Sequence, residues 1–331
     1  MHPGRLFEYL STLITHRVQH SVMIWGPPGI GKSSVVAQVA AQRQIGFIDI
    51  RLSQLAPTDL RGVPVPRDGI TYWFPPEFLP RDGEGILFLD EINLAPPALQ
   101  GVAQQLVLDR RVGNYTVPPG WFVWAAGNRK EDRAAVFDMP APLANRFLHL
   151  RVEPDLDSFR HYAIGRNVHE QIIGFLNFRP SLLHKPDAAS ESWPSPRSWE
   201  MADTLLKLDL DLAPAIGAGA AAEFRVFRQA AAQIPAIDAI LKGKSKEGFP
   251  EEPSVQYALS SGLVSRIATV EQALHALRWL SRNAAPEWVQ MVAADLFPKL
   301  RTRRLFDEFV RQMQDDASLM AFLADFLALA E

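Results

Sequence analysis

Residues 26–33 read Gly26-Pro27-Pro28-Gly29-Ile30-Gly31-Lys32-Ser33, the spacing G-x-x-x-x-G-K-[ST] in full. Residues of these types bind phosphate. Glycines let backbone N–H groups close around phosphate oxygens because no Cβ obstructs the approach. A helix opening at Lys32 adds unpaired N–H donors and a dipole favourable to an anion. Lys32 would reach the β- and γ-phosphates of a nucleoside triphosphate, the Ser33 hydroxyl would ligate Mg²⁺, and Ser34 completes the phosphate-binding set. The bland alternative is a Gly/Pro turn that happens to end in Lys-Ser. The context argues against it, because an apolar run, Ser21–Trp25, precedes the motif and a helical pattern, Lys32–Arg43, follows it.

A second constellation is Ile86-Leu87-Phe88-Leu89-Asp90-Glu91. Four consecutive apolar residues mark a strand covered on both faces, and such a strand delivers Asp90 to the carboxyl edge of a sheet, where ligands bind. Asp90 would hold Mg²⁺ through water, and Glu91 would orient and activate an attacking water. Alone, a strand ending in Asp-Glu is commonplace; together with the Gly-rich loop it defines a site. Trp121–Ala126, Gly127 and Asn128 repeat the arrangement, placing Asn128 where it can meet a γ-phosphate or its water. Arg146, in Pro142-Leu143-Ala144-Asn145-Arg146-Phe147, and Arg197, in Pro194-Ser195-Pro196-Arg197-Ser198-Trp199, each offer a guanidinium for phosphate charge, with a surface salt bridge as the plain alternative.

The elements that must position these residues follow from periodicity. Pro3–Arg17, Lys32–Arg43 and Pro97–Asp109 have helical spacing, and Ser21–Trp25, Phe47–Leu52, Ile86–Leu89, Trp121–Ala126 and Phe147–Val152 read as buried strands. Five strands interleaved with helices predict a parallel α/β sheet. Residues 53–80 carry six prolines and read as a loop-rich insertion, with Ile70–Phe74 as one arm of a hairpin. Gly113-Asn114 suggests a second small hairpin. Beyond Glu153 the chain turns Leu- and Ala-rich, with helical patterns over Met201–Leu212, Ala220–Ile234, Val270–Arg282 and Leu305–Leu329. Polar stretches at Ser181–Ser198 and Lys242–Pro253 read as loops. A boundary therefore falls near residue 153, dividing an α/β domain over 1–153 from a helical region over 154–331.

Composition bounds the function. The chain has 331 residues, enough for two domains, and is 47% hydrophobic and 21% charged, ordinary values for a globular protein. It has no cysteine, which rules out disulfides, thiol nucleophiles and cysteine-held metal centres. Net charge is −3, so the basic footprint of a general nucleic-acid binder is missing. No stretch reaches the length of a membrane span, and residues 1–5 lack the apolar run of a signal peptide. The expected location is the cytoplasm.

In this order the motifs resemble the AAA+ superfamily and, within it, the MoxR branch. The similar stretches are Leu52-Ser53-Gln54-Leu55 with Thr58-Asp59-Leu60-Arg61-Gly62, Pro75-Pro76-Glu77-Phe78-Leu79-Pro80, Leu89-Asp90-Glu91-Ile92-Asn93, Ala126-Gly127-Asn128, Ala144-Asn145-Arg146-Phe147 and Ser195-Pro196-Arg197-Ser198. The likeness covers about the first 200 residues. It implies a P-loop AAA+ fold, a parallel five-stranded sheet sandwiched by helices and followed by an all-α lid and C-terminal helical region. It implies ATP and Mg²⁺ as cofactors, with Walker A at Lys32 and Ser33, and Walker B at Asp90 and Glu91. Asn128 would be sensor 1, Arg146 an arginine finger and Arg197 sensor 2. Segment 53–80 would be the helix-2 insertion, and 110–118 the hairpin before sensor 1. A homo-oligomeric ring, often hexameric, and a von Willebrand factor A-type partner protein are further implications.

The leading expectation is thus an ATP-hydrolysing, chaperone-like remodeller of a partner protein. The alternatives are a low-turnover nucleotide switch or adaptor, and the motor subunit of a nucleic-acid-processing complex, the latter disfavoured by charge. Tyr72-Trp73-Phe74 is expected to pack inside its hairpin, with client contact as the alternative. Arg129, Lys130 and Arg133 read as a solvated rim, with trans-acting contacts between subunits as the alternative.

Overall fold

In a computed structural model the chain forms nine strands among its described residues: Ser21–Trp25 (β1), Gly46–Arg51 (β2), Val63–Arg67 (β3), Ile70–Phe74 (β4), Glu84–Asp90 (β5), Arg111–Val112 (β6), Tyr115–Thr116 (β7), Gly120–Gly127 (β8) and Phe147–Arg151 (β9). The structure describes residues 1–132, 137–187, 189–232, 234–314, 316 and 319. Five of the strands make one sheet in the order β2-β5-β8-β1-β9, parallel throughout. The other four form two antiparallel hairpins, β3–β4 and β6–β7. The chain divides into two compact units, Met1–Asp155 and Leu156–Glu331.

Apolar residues on both faces of the central strands explain why the sheet is covered on both sides. Successive side chains point to opposite faces, and the core divides accordingly. Val22, Ile24, Ile86, Phe88, Phe122 and Trp124 pack with the helices Pro3–Thr15 (α1) and Lys32–Arg43 (α2). Met23, Leu87, Leu89, Val123 and Ala125 belong to the opposite cluster. That cluster includes Leu60 of Pro57–Arg61 (α3), Leu99, Val102, Ala103 and Leu106 of Pro97–Leu108 (α4), and Leu143 of Ala141–Ala144 (α5). Phe88 and Trp124 are fully buried.

The second unit is helical: Leu156–Gly165 (α6), Glu170–Phe178 (α7), Pro196–Lys207 (α8), Ala213–Ile216 (α9), Ala218–Ala231 (α10), Ile237–Leu241 (α11), Pro253–Arg266 (α12), Val270–Asn283 (α13), Pro286–Thr302 (α14) and Phe306–Met313 (α15). One core gathers Phe175, Trp199, Phe224 and Phe227, and another gathers Leu263, Leu277, Leu280 and Leu296. The helix expected over Met201–Leu212 instead begins at Pro196. Ser195 accepts the Ser198 N–H as its N-cap, and the Ser198 hydroxyl accepts the Ser195 N–H in return. It ends at Lys207, so Leu208 and Leu210 are exposed rather than part of a helical stripe. The pattern expected over Leu305–Leu329 is helical as far as Met313; most of its remainder lies outside the described residues. Among the described residues no helix is long and apolar enough to cross a membrane.

A second correction concerns the β3–β4 hairpin. Val63 pairs with Phe74, Val65 with Tyr72 and Arg67 with Ile70, so these six share one face. Tyr72 and Phe74 are 40% and 53% exposed, and only Trp73, on the other face, is partly covered. A two-stranded ribbon has too few neighbours to bury both faces. Trp73 meets the Arg61 guanidinium, 5.4 Å from its ring centroid, and Gly113 at the tip of the second hairpin.

Candidate functional site

The ends of β1, β5 and β8 are neighbours because the strand order places β8 between β5 and β1. Their carboxyl ends therefore bring together Gly26–Ser33, Asp90 with Glu91, and Asn128, segments far apart in sequence. The loop after β1 turns into α2 at Gly31, whose φ of +89° is a left-handed conformation that suits glycine. Gly31 caps α2 without any side-chain hydrogen bond, which leaves the first-turn N–H groups for an anion.

Lys32 Nζ donates to the carbonyls of Gly26 (2.8 Å) and Pro27 (3.0 Å) and to Asn128 Oδ1 (2.9 Å). The Ser33 hydroxyl donates to Asp90 Oδ2 at 2.5 Å. Asp90 Oδ1 accepts the Glu91 N–H at 2.8 Å, and Glu91 sits at φ +55°, a left-handed conformation costly for a residue with a side chain. That backbone turn aims the Glu91 carboxylate at the Ser53 hydroxyl, which donates to Glu91 Oε2. Ser53 lies just past β2, the neighbour of β5.

Asn93 forms a further layer. Its side chain is buried, donating through Nδ2 to the Asn128 carbonyl (2.6 Å) and accepting the Asn128 N–H on Oδ1 (3.2 Å). The Asn93 carbonyl accepts the Phe137 N–H at 2.7 Å, and the Ile92 N–H donates to the Ala126 carbonyl at 3.0 Å. Sequence reading assigns no role to Ser53 or Asn93. The available signal for Asn93 is a polar residue between apolar Ile92 and Leu94, two positions after Glu91.

The electrostatics suit a cation flanked by an anion. Burial raises the Asp49 carboxyl above its ordinary range; Asp90 and Glu91 raise it further while Arg51 opposes them. This marks a concentration of negative charge beside the ends of β2 and β5. Beyond Asn128, Arg129 is no solvated rim. It grips Asp132 through Nε (2.9 Å) and Nη2 (2.8 Å), and its Nη1 donates to Glu153. The Asp132 carboxyl is held below its usual range: burial raises it, but the Arg129 hydrogen bonds and charge outweigh that, with Lys32 contributing. The hydrogen bonds raise Arg129 further above its ordinary value. The Lys130 side chain and Arg133 lie outside the described residues.

Arg146 follows α5, is exposed, and makes no ion pair among the described residues; no hydrogen bond of the site involves it. Arg197 is exposed in the first turn of α8 in the second unit. Ser34 is exposed in the first turn of α2, whereas Pro27 and Ile30 are buried in the loop and Pro28 is partly buried.

The residues present fit Mg²⁺ and a nucleoside triphosphate. The Ser33 hydroxyl and Asp90 carboxylate, 2.5 Å apart, form a hard oxygen pair of the kind Mg²⁺ takes alongside phosphate and water. Lys32 and the first-turn N–H groups of α2 supply the phosphate side.

Residues 21–147 match the AAA domain family, dynein-related subfamily. The match runs from β1 to the start of β9 and takes in Lys32, Ser33, Asp90, Glu91, Asn128 and Arg146, but not Arg197. With this match and the order of its sheet, the chain has the α/β P-loop AAA+ fold with a helical C-terminal region. Among solved structures, NtrX from Brucella abortus in complex with ADP is 15% identical over 94% of this chain and 67% of NtrX, with a TM-score of 0.42. The Thermotoga maritima RuvB Holliday junction branch migration motor is 15% identical over 79% of this chain and 80% of RuvB, with a TM-score of 0.39. At that distance neither bears on function.

Proposed function

We propose that this chain hydrolyses Mg·ATP as one protomer of a MoxR-type ring and uses the cycle to remodel a partner protein. The observation that carries the reading is the hydrogen bond from Lys32 to Asn128 beside the Ser33–Asp90 pair. Together the two bonds join the ends of three strands into one polar group, within the span that matches the AAA domain.

In this reading the Gly26–Ser33 loop and Ser34 bind the phosphates, and Lys32 carries positive charge to the γ-phosphoryl. Ser33 and Asp90 hold Mg²⁺, which when bound offsets phosphate charge. Glu91 takes the proton of the attacking water as the bond from γ-phosphorus to the bridging oxygen breaks, and Asn128 orients that water. Arg146, exposed and outside the group, would serve a neighbouring protomer's site in trans. Residues 1–153 would be the nucleotide-binding domain, with 53–80 and 110–118 as its two insertions, and 154–331 a helical lid and extension carrying Arg197 as a phosphate sensor. A hexamer, a von Willebrand factor A-type partner and a cytoplasmic location complete the proposal. Phosphate release measured against protein concentration tests it. Turnover should rise with assembly and fall in Arg146→Ala; full activity in a monomer, indifferent to Arg146→Ala, would sink the ring mechanism.

One observation favours the low-turnover switch as a second reading. The Glu91 carboxylate is engaged by Ser53, a contact that restrains the base. A partner that releases Glu91 would then set the rate. Equal, near-zero turnover in wild type and Glu91→Gln, with nucleotide bound by both, would favour the switch.

A further inference from the structure

We propose that Asn93 is a positioning residue that fixes Asn128 for the chemical step, an assignment that rests on the ATPase reading above. Its carboxamide meets both the N–H and the C=O of Asn128, at 3.2 and 2.6 Å. One donor and one acceptor on the same residue allow only one orientation of the amide, so the pair works as a two-point clamp. Asn93 is 3% exposed, so water does not compete for these bonds. The chain also leaves room for the clamp at Gly127: a Cβ there would lie 2.4 Å from Asn93 Oδ1.

The clamp connects three parts of the site. Asn93 follows Asp90 and Glu91 by a turn in which the Leu94 N–H donates to the Glu91 carbonyl at 2.9 Å. Its side chain holds Asn128, whose own amide oxygen accepts from Lys32 at 2.9 Å. Its carbonyl accepts the Phe137 N–H at 2.7 Å, at the start of the segment that leads through α5 to Arg146. A displacement at the acidic pair is thereby passed to Asn128 and to the approach to Arg146. Asn93 itself touches no substrate.

Steady-state ATP turnover in Asn93→Leu, which removes both hydrogen-bonding groups and keeps the branched skeleton, tests this. The isosteric Asn93→Asp keeps the acceptor and loses the donor, and serves if the leucine variant does not fold. The expected result in both variants is a kcat lowered about 10- to 100-fold with the KM for ATP changed by less than about threefold, since the carboxylate of Asn93→Asp would oppose the Asn128 carbonyl. In an Asn128→Ala background, Asn93→Leu should cost less than about twofold more, because the group it positions is already gone. Losses that multiply across the two sites, or a kcat within about twofold of wild type in both Asn93 variants, overturn the assignment. A wild-type chain without turnover overturns the ATPase reading and this one with it; active wild type with normal Asn93 variants overturns this one alone.

Discussion

Lys32 Nζ and Asn128 Oδ1 are 2.9 Å apart, although the two residues are separated by 96 positions in the chain. The bond links the loop after β1 to the end of β8, the adjacent strand. On the proposed reading it divides the labour of the site, with Lys32 supplying the charge that attracts phosphate and Asn128 the neutral amide that sets its direction.

Lys32→Ala is therefore expected to weaken ATP binding by about 10- to 150-fold, the worth of roughly 1.5–3 kcal/mol for hydrogen bonds to a charged group. Asn128→Ala should leave binding within about threefold while turnover falls, since Lys32 keeps the Gly26 and Pro27 carbonyls. Titration with a fluorescent ATP analogue, set beside phosphate release, separates the two. Equal loss of binding in both variants would contradict this division.

Ser53→Ala removes the hydroxyl that donates to Glu91. A hydrogen bond of this kind is worth about 0.5–1.5 kcal/mol net. Release of Glu91 should raise basal turnover by about 2- to 12-fold with little change in nucleotide affinity. A drop in turnover would mean that Ser53 aligns the base instead of restraining it.

Gly127→Ala brings a Cβ to 2.4 Å from Asn93 Oδ1 and 2.7 Å from Met23 Cε. Overpacking of this sort costs about 1–3 kcal/mol. Thermal unfolding of the full chain should show a lowered midpoint, with turnover reduced as well. An unchanged midpoint would mean that β8 shifts freely at this point.

In the second unit, Asp295 on α14 is buried against Arg160 on α6, with Oδ1 and Nε 2.6 Å apart but not aligned for a hydrogen bond. Burial pushes its carboxyl up to about 6; Arg160 and His161 pull it down, and Asp157 raises it. A folded-state value raised above the unfolded one means the folded chain binds more protons between pH 3.8 and 6. Stability from this group is thus full below the unfolded value and is lost as pH rises through about 6. The contribution is about 3 kcal/mol at most. Denaturant unfolding at pH 4 and pH 7 should show that Asp295→Asn lacks this part of the wild-type decline; parallel curves would contradict it.

Much of this architecture is written locally in the sequence. Ile86–Leu89 must be covered on both faces and is the buried heart of β5, and the Gly-rich loop sits between a strand and a helix as its spacing requires. What escapes is non-local. Ser53 meets Glu91 only because β2 lies beside β5, and Asn93 meets Asn128 only because β5 lies beside β8. Arg129 with Asp132 is a local i,i+3 pair, but its bond to Glu153 depends on where the chain emerges from β9. Helix α12 is not legible for another reason. It buries Ser254, Ser260, Ser261 and Gly262 together with Val255, Leu259 and Leu263, so no apolar stripe stands out against a polar face.

The most direct test of the central claim is single-turnover and steady-state phosphate release by wild type and Glu91→Gln, with ATP binding measured on the same samples. The expected result is hydrolysis by wild type and a loss of at least about 100-fold in Glu91→Gln, with nucleotide affinity preserved within about threefold. Undiminished hydrolysis in Glu91→Gln, or no hydrolysis by wild type under assembling conditions, would contradict it.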